Sequence, residues 1–205
     1  MNRKILKVTL VAVLLAMAIA LDVVTGMIPG LNLSMPLGGR IFGIALFPLL
    51  LIGIFLGASY GITAGIIYGI FGFFSDGYAI AFFVDDTSSA LLVFFLDYII
   101  AFGALGLTGF FPKALKKGPM LIMAFSLAIF VRFVSSTIVG AILWAQYAHY
   151  SPWTNDLYDL VDGSAFLYSG IYNFIYNFTT AITLILIGLI MKNRLQTLKE
   201  EYLLN

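Results

Sequence analysis

Long apolar segments recur along this 205-residue chain, and they restrict its possible folds more than any other feature. Only 10% of the residues are charged, whereas a soluble domain carries about 25% charged residues. A stretch of roughly 17–25 apolar residues is long enough to cross a bilayer as an α-helix. The sequence therefore predicts an all-α integral membrane protein, in which residues 1–205 form a single membrane domain.

Six apolar blocks are the candidate transmembrane helices. They cover approximately residues 5–25, 41–56, 58–75, 90–111, 119–147 and 166–191. The second and third blocks are short and are separated only around Gly57, so a single longer, kinked helix is the alternative there. The first block follows Arg3, Lys4 and Lys7 and resembles a signal peptide. Because further apolar segments follow it, we interpret it as an uncleaved first helix.

The charged residues divide between two sides of the predicted helices. A count of six spans places three basic clusters on one side: Arg3, Lys4 and Lys7, then Lys113, Lys116 and Lys117, then Lys192, Arg194 and Lys199. The other side collects the acidic residues Asp76, Asp85, Asp86, Asp156, Asp159 and Asp162, with Arg40 as its only positive charge. Since cytoplasmic loops are enriched in Lys and Arg, we expect both termini to be cytoplasmic.

Several kinds of chemistry are excluded by what the sequence lacks. The chain has no cysteine, and its single histidine, His149, rules out a site with several histidine ligands. A net charge of +1 argues against nucleic acid as a partner. There is no GxxxxGK[ST] loop to bind ATP phosphates, and no nucleophile–base pair is visible. We therefore expect neither an enzyme nor a cofactor, and active transport would draw its energy from another protein.

Small residues form two regular stripes. Gly57, Gly61, Gly65 and Gly69 recur every four residues through the third block, and Ala12, Ala16 and Ala20 do so on the first. Such stripes let another helix approach closely. We interpret the glycine stripe as internal packing, whereas the alanine stripe could equally pack inside the protein or bind a partner protein.

Asp97 is the only charged residue in the fourth apolar block, residues 90–111. A carboxylate inside a bilayer costs roughly 2.5–3.5 kcal/mol by insertion scales, so it needs a buried partner, a polar cavity or a cationic ligand. The topology places Asp97 about seven residues, or roughly 10 Å, below the outer surface.

Polar and aromatic residues of the fifth and sixth blocks should surround this carboxylate. Ser136, Gly140 and Trp144 are spaced by four and share one helix face. The start of the sixth block adds Tyr168, Ser169, Tyr172, Asn173, Tyr176 and Asn177. A carboxylate among aromatic rings attracts an organic cation, with cation–π attraction worth about 0.5–2 kcal/mol per ring. Gly140 would let a flat ligand lie against its helix.

A structural role for Asp97 is the alternative. Arg132 is the other charge deep in an apolar block, and its long side chain could reach Asp97. The protein would then be a structural or assembly membrane protein without a ligand. Tyrosines such as Tyr147, Tyr150 and Tyr158 are also typical of the aromatic belt at a membrane interface.

The chain resembles the substrate-binding S-components of energy-coupling factor (ECF) vitamin transporters, and among them the thiamine-specific S-component. Four segments carry the resemblance: Leu96-Asp97-Tyr98 with residues 101–110, Arg132-Phe133 with Gly140 and residues 144–148, residues 168–173, and Pro48 with the glycine stripe. The resemblance implies six transmembrane helices in a bacterial plasma membrane and a vitamin site near the outer face.

The resemblance also implies roles for individual residues. Asp97 takes the position of an acid that binds the thiazolium cation, and the other pocket positions fall on Tyr98, Ser136, Gly140, Trp144, Tyr168 and Asn173. Tyr78 matches a ring-stacking tyrosine. Ala12, Ala16 and Ala20 match the docking surface for a transmembrane coupling subunit, which works with two cytoplasmic ATPases.

Three departures from the family pattern affect the ligand. The usual pocket histidine falls on Ser136, the usual glutamate on the shorter Asp97, and the stretch from Tyr78 to Asp97 is several residues longer. Thiamine is the expected ligand, and a thiamine precursor, riboflavin or folate are the alternatives. Folate is an anion, which an acidic pocket disfavours.

Overall fold

A computed structural model describes residues 3–28 and 33–201 of the chain. The helices in these ranges are α1 (Arg3–Met27), α2 (Ile44–Leu56), α3 (Ala58–Ser75), α4 (Gly77–Phe83), α5 (Thr87–Phe110), α6 (Gly118–Ile142), α7 (Trp144–Tyr150), α8 (Pro152–Leu160) and α9 (Ala165–Lys199). The described residues form no β-strand, and one isolated bridge joins Ser34 to Arg40. The predicted all-α fold is therefore confirmed.

Five of the described helices are long and apolar enough to cross a membrane, namely α1, α3, α5, α6 and α9. The apolar helix α2 is shorter, so the structure leaves the predicted count of six spans as a prediction. Two boundaries differ from the sequence interpretation. The fifth predicted helix ends at Ile142 rather than near residue 147, and the last helix continues to Lys199 rather than ending near residue 191.

Each of these two differences in helix length has a structural cause. The chain leaves α-helical geometry at Leu143, with φ −117° and ψ −57°, and continues as the 3₁₀-helix α7. At the end of α9, tertiary contacts hold the helix beyond the predicted apolar block. Leu195 is buried, and Lys199 Nζ donates to the carbonyl oxygen of Ile54 at 2.6 Å, satisfying a free carbonyl at the end of α2.

α2 and α3 form a tight antiparallel hairpin rather than one kinked helix. Gly57 joins them with φ +97°, a left-handed conformation that glycine adopts without strain. Beyond this turn, a Cβ atom on Gly61 would lie 2.8 Å from the Cα atom of Gly53. The two helices therefore pack backbone to backbone next to their connection.

The glycine stripe packs inside the protein, as predicted. A Cβ on Gly65 would lie 2.2 Å from the carbonyl oxygen of Phe102, and one on Gly69 would lie 2.5 Å from that of Tyr98. From the opposite side, a Cβ on Gly106 would lie 2.0 Å from the amide nitrogen of Ile62. α3 and α5 thus meet along a seam of glycines on both helices, which fixes α5 and the residues that it carries.

α1 lies at the edge of the bundle. It packs on α2 through Leu14 and Ala18, which are buried. Ala12, Ala16 and Ala20 are exposed on its outer side. The centre of the bundle instead consists of α2, α6 and α9, where the largest fully buried side chains include Leu49, Leu50, Phe125 and Leu184.

Candidate functional site

A cavity of about 620 Å³ lies among α3, α4, α5, α6, α9 and the loop of residues 33–43. Its size is typical of sites that enclose small organic molecules, which occupy roughly 300–1,000 Å³. Of the predicted site residues, its wall includes Asp97, Tyr98, Ser136, Gly140, Trp144, Tyr168 and Asn173. The structure therefore brings together residues from four separate helices around the acid that the sequence singled out.

Asp97 lies in an irregular part of its helix. Residues 94–100 of α5 form a π-helix, a wider turn that is rare and often occurs at functional sites. The wider turn disturbs the normal backbone hydrogen bonding, and Ser135 Oγ on α6 donates to the carbonyl oxygen of Leu96 at 2.6 Å. The site acid is thus carried by a backbone segment that a neighbouring helix holds in place.

The carboxylate of Asp97 has two neighbours from the α6–α7 region. Trp144 Nε1 donates to Asp97 Oδ2 at 2.9 Å, and the Ser136 hydroxyl also interacts with the carboxylate. Because α6 ends at Ile142, Trp144 begins the 3₁₀-helix instead of following Ser136 and Gly140 on one regular face. All three residues line the cavity, whereas the single helix face expected for them ends before Trp144.

Asp97 and Arg132 form no ion pair. The only side-chain ion pairs within 4 Å among the described residues are Asp22–Arg40 and Lys116–Glu200. Arg132 instead donates from Nε to Asn177 Oδ1 at 3.3 Å, and its guanidinium carbon lies 4.5 Å from the centre of the Phe102 ring. The alternative role of Asp97, as the partner of Arg132 in a structural protein, is therefore not what the structure shows.

The loop of residues 33–43 forms one wall of the cavity and rests on α9. Tyr172 bridges the loop: its hydroxyl accepts from the amide of Leu37 at 2.9 Å and donates to the carbonyl of Gly38 at 2.9 Å. Tyr176 lies one turn after Tyr172 on α9, and a Cβ on the loop residue Gly39 would lie 2.8 Å from its ring. α9 thus presents Tyr172 and Tyr176, four residues apart, to the loop.

A charged pair holds the far end of the same loop. Arg40 Nη1 lies 2.6 Å from Asp22 Oδ1 on α1 and 2.6 Å from the Asp22 carbonyl oxygen. Both residues line the cavity. The sequence offered no periodic pattern in this segment, so its contribution to the site was missed; its closely spaced glycines were the only signal.

Gly140 lines the cavity and also packs closely against α9. A Cβ on Gly140 would lie 2.1 Å from Ser169 Oγ and 3.1 Å from Asn173 Nδ2, so α9 side chains occupy the space above it. Ser169 Oγ donates to the Thr137 carbonyl at 2.8 Å, and Asn173 Nδ2 donates to the Ser169 carbonyl at 2.9 Å. Gly140 therefore permits close packing of α6 and α9 at the cavity wall, and its contact with a flat ligand stays a prediction.

Besides Asp97 and Asp22, Asp76 is a third acid in the cavity wall. Tyr98 donates from its hydroxyl to Asp76 Oδ2 at 2.9 Å, and both residues line the cavity. Desolvation raises the pKa of the Asp76 carboxyl above its usual value, and the hydrogen bond from Tyr98 opposes that shift.

Tyr78 is the one predicted pocket residue that the structure does not bring to the cavity. It lies on α4 and is 92% exposed, while its neighbours Ala79 and Ile80 line the wall. α4 itself is held by Phe83, whose carbonyl accepts from the Tyr147 hydroxyl and whose ring lies 5.9 Å from that of Trp144. A stacking role for Tyr78 would require this short helix to rotate.

The arrangement suits an organic cation rather than a metal ion. No group of three or more His, Cys, Asp or Glu side chains that could hold a metal occurs in residues 3–28 and 33–201. The cavity instead combines the Asp97 carboxylate with the Trp144 indole and several tyrosine rings. Coulomb attraction and cation–π attraction would act on the same positively charged ring.

Three similarities to known proteins agree with this geometry. Residues 9–199 match the family described as Thiamine transporter protein (Thia_YuaJ). The chain is 30% identical over 157 residues to the thiamine transporter ThiT of Bacillus subtilis (strain 168), an alignment that covers 72% of this chain and 75% of that protein. A solved structure of ThiT from Listeria monocytogenes has the same fold, with a TM-score of 0.71 and 19% identity over 97% of this chain and 99% of the other.

Proposed function

The chain belongs to the thiamine transporter protein family, and on this premise we propose that it is the S-component of an ECF transporter, which binds thiamine at an outward-facing site. Membership of the family makes it a multi-pass protein of the cell membrane and a transport protein rather than an enzyme. Thiamine carries a permanently charged thiazolium ring, and the proposal places that ring beside Asp97.

One observation carries the assignment of the ligand. Asp97 is an intramembrane acid whose contacts are the neutral donors Trp144 and Ser136, and no cationic side chain lies within 4 Å of it among the described residues. Arg132 acts on this carboxylate only from beyond ion-pair distance, and an acid without a contacting cation in a low-dielectric region favours a cationic ligand. The aromatic wall formed by Trp144 and Tyr98 supports the same choice.

The proposed orientation rests on the distribution of charge. Basic residues follow α5 at Lys113, Lys116 and Lys117, whereas Asp86 precedes α5 and Asp76, at the end of α3, lines the cavity. With α2 counted as a sixth, short span, both termini are cytoplasmic and the cavity faces outward.

The proposed partners are a transmembrane coupling subunit and two cytoplasmic ATPases. The chain has no phosphate loop of its own, so energy must come from a separate protein. The outer side of α1 offers Ala12, Ala16 and Ala20 as an exposed strip of small side chains, which suits close contact with another helix. We propose that this strip is where the coupling subunit docks.

Calorimetry in detergent tests the ligand. We expect thiamine to bind, Asp97→Asn to weaken binding by at least about a hundred-fold and Asp97→Glu to retain most of it, because a buried charge pair that loses one partner costs roughly 3–5 kcal/mol. Asp85→Asn is the matched control, since Asp85 is an exposed acid outside the cavity. Binding of riboflavin or folate in place of thiamine would refute the assignment.

Co-purification tests the docking strip. Ala16→Trp should abolish recovery of the coupling subunit and its ATPases while leaving thiamine binding intact, because the bulky ring prevents close helix contact. Met17→Trp is the control on the same helix, since Met17 is 49% exposed but lies outside the alanine strip. Equal loss of partners in both variants would show that the strip has no special role.

A further inference from the structure

α4 is a short helix with two different sides. Ala79, Ile80 and Phe83 line the cavity. Tyr78 and Phe82 are four residues apart and lie on another side of the helix, where they are 92% and 69% exposed. A helix of only seven residues therefore separates this part of the cavity from the surroundings of the protein.

The exposed side of α4 continues the exposed side of α3. Phe71 and Phe74 are exposed near the end of α3, three residues apart on one face. Because α3 is long and apolar enough to cross the membrane in a family of membrane transporters, this face contacts lipid. Asp76 is the single residue between the two helices, and Tyr78 and Phe82 extend the series at intervals of four. The apolar surface of α4 thus adjoins one that lipid covers.

Charged residues place α4 at the surface of the membrane. Asp85 and Asp86 come directly after the residue that follows the helix, and both are exposed. An exposed carboxylate is costly in the hydrocarbon region, so this end of α4 reaches water. Tyr150 is also exposed here, and its ring lies 6.4 Å from that of Phe82. Exposed aromatic rings beside charged residues are typical of the boundary between water and the hydrocarbon region.

On its inner side α4 is connected to the candidate site through Phe83. The Phe83 carbonyl accepts from the Tyr147 hydroxyl, and the Phe83 ring lies 5.9 Å from that of Trp144. Trp144 in turn donates to Asp97 at 2.9 Å. A shift of α4 would therefore move part of the cavity wall and disturb the tryptophan that positions the acid.

We propose that α4 is an interfacial helix whose Tyr78 and Phe82 side chains insert between the headgroups and the acyl chains of the bilayer, so that lipid holds one wall of the cavity in place. Interfacial helices bury their apolar face at this depth. The bilayer thereby contributes to ligand affinity without touching the ligand. The identity of the ligand and the assignment to the outer leaflet rest on the proposed function, whereas the insertion of α4 into lipid does not.

Spin labels measure the depth of α4 directly. The chain has no cysteine, so Tyr78→Cys and Phe82→Cys each carry a single label in the full-length protein. Phe130→Cys, at an exposed position of the spanning helix α6, is the lipid reference, and the exposed Asp85→Cys is the water reference. In nanodiscs of phosphatidylcholine and phosphatidylglycerol, collisions of the label with oxygen, which partitions into lipid, are compared with collisions with a water-soluble nickel chelate. We expect the oxygen-to-nickel ratio at residues 78 and 82 to exceed that at Asp85 and to fall below that at Phe130.

Two results of this measurement would overturn the inference. A ratio at Tyr78 and Phe82 equal to that at Asp85 would place the exposed side of α4 in water. Loss of collisions with both reagents at Tyr78 on addition of thiamine would show that this residue turns into the cavity and stacks on the ligand, as the family resemblance implies. In either case the proposed function would stand.

The contribution of lipid to affinity is tested at residues that have no predicted contact with the ligand. Phe74→Ser/Phe82→Ser removes two exposed rings that do not line the cavity. In nanodiscs we expect this variant to raise the Kd of thiamine at least about five-fold, because a wall released from lipid occupies its binding-competent position for a smaller fraction of the time. Phe166→Ser/Leu167→Ser is the matched control, since it removes two exposed apolar side chains outside the cavity lining at the start of α9. It should leave the Kd unchanged.

The outcomes separate this inference from the proposed function. Equal Kd values in the two double variants would overturn the role of lipid in the site. If Phe74→Ser/Phe82→Ser does not fold, Phe82→Ser alone replaces it, with a smaller rise in Kd expected. Absence of thiamine binding in the unmodified protein would refute the proposed function, and the spin-label ratios would still decide whether α4 lies in lipid.

Discussion

The indole of Trp144 donates a hydrogen bond to the carboxylate of Asp97 at 2.9 Å, joining the start of the 3₁₀-helix α7 to the π-helical part of α5. Both residues lie where regular α-helix gives way to another geometry. The bond fixes the position of Asp97 Oδ2, and no cationic side chain of the described residues lies within 4 Å of the carboxylate. Trp144 therefore both positions the acid and offers an aromatic face next to it.

Tryptophan fluorescence should report binding through one residue. The chain has two tryptophans, Trp144 in the cavity wall and Trp153 outside it. We expect thiamine to quench the emission of the unmodified protein and of Trp153→Phe, and to have little effect on Trp144→Phe. Trp144→Phe should also weaken thiamine binding roughly 10–100-fold, because a hydrogen bond to a charged group contributes about 1.5–3 kcal/mol. Quenching that persists in Trp144→Phe and disappears in Trp153→Phe would contradict the assigned site.

Replacing Arg132 as well as Asp97 should not restore the thermal stability that is lost when Asp97 alone is replaced. If Asp97 and Arg132 were a structural pair, Asp97→Asn would lower the melting temperature and Asp97→Asn/Arg132→Gln would recover it. The structure shows no ion pair between them within 4 Å, and Arg132 acts on Asp97 only through space, so we expect the double change to recover little of the lost melting temperature. Melting curves of the single and double variants in detergent measure this, and recovery in the double variant would revive the structural interpretation.

The loop of residues 33–43 should loosen when Tyr172 loses its hydroxyl. Tyr172→Phe removes the acceptor of the Leu37 amide and the donor to the Gly38 carbonyl. Each such hydrogen bond contributes about 1 kcal/mol, and that difference corresponds to at least about a five-fold change in a population. Amide hydrogen exchange at Leu37 should therefore accelerate by at least this factor. Tyr158→Phe serves as the control, because the Tyr158 side chain packs on the rings of His149 and Tyr168 rather than on the loop. Unchanged exchange at Leu37 would mean that other contacts hold the loop.

The glycine seam should tolerate no side chain. Gly106→Ala places a Cβ 2.0 Å from the backbone nitrogen of Ile62, so α3 and α5 would have to separate. Overpacking of this kind costs about 1–3 kcal/mol, and more where backbone must move. We expect a clear fall in the melting temperature.

Gly170→Ala is the matched control for this seam. Gly170 is also inside a helix, but a Cβ there meets no atom within 4 Å. It should be neutral or slightly stabilising, since alanine is favoured over glycine in helices by roughly 0.5–1 kcal/mol. Similar effects at both positions would argue against the seam.

Much of the site could be predicted from the sequence because the relevant signals are local. A lone acid in an apolar block is conspicuous, and the spacing of Ser136, Gly140 and Trp144 brings them near one another even though α6 ends before Trp144. The glycine stripe was interpretable for a similar reason: a close contact between helices needs small residues at regular intervals on at least one of them.

Other features depend on tertiary contacts that have no local signature. The π-helix around Asp97 is stabilised partly by Ser135 on another helix, and apart from Asp97 itself residues 94–100 have the composition of an ordinary apolar helix. The loop of residues 33–43 has no periodic pattern, and its place in the cavity depends on Tyr172 and Asp22, which are far away in sequence. Gly140 lines the cavity, and its close contact with Ser169 of α9 has no signal in the local sequence.

The π-helix in α5 has a consequence for how this helix can change in evolution. A π-turn holds one residue more than an α-turn, so each residue beyond it is rotated by about 100° relative to an uninterrupted helix. Asp97 lies within this wider segment and lines the cavity, whereas Gly106 packs on α3 beyond it, in residues 104–110, which continue α5 as a 3₁₀-helix. Deletion of a single codon within residues 94–100 would remove the offset and direct either the acid or the glycines into lipid. One-residue gaps in this helix are therefore expected to be rare among proteins that keep the same site.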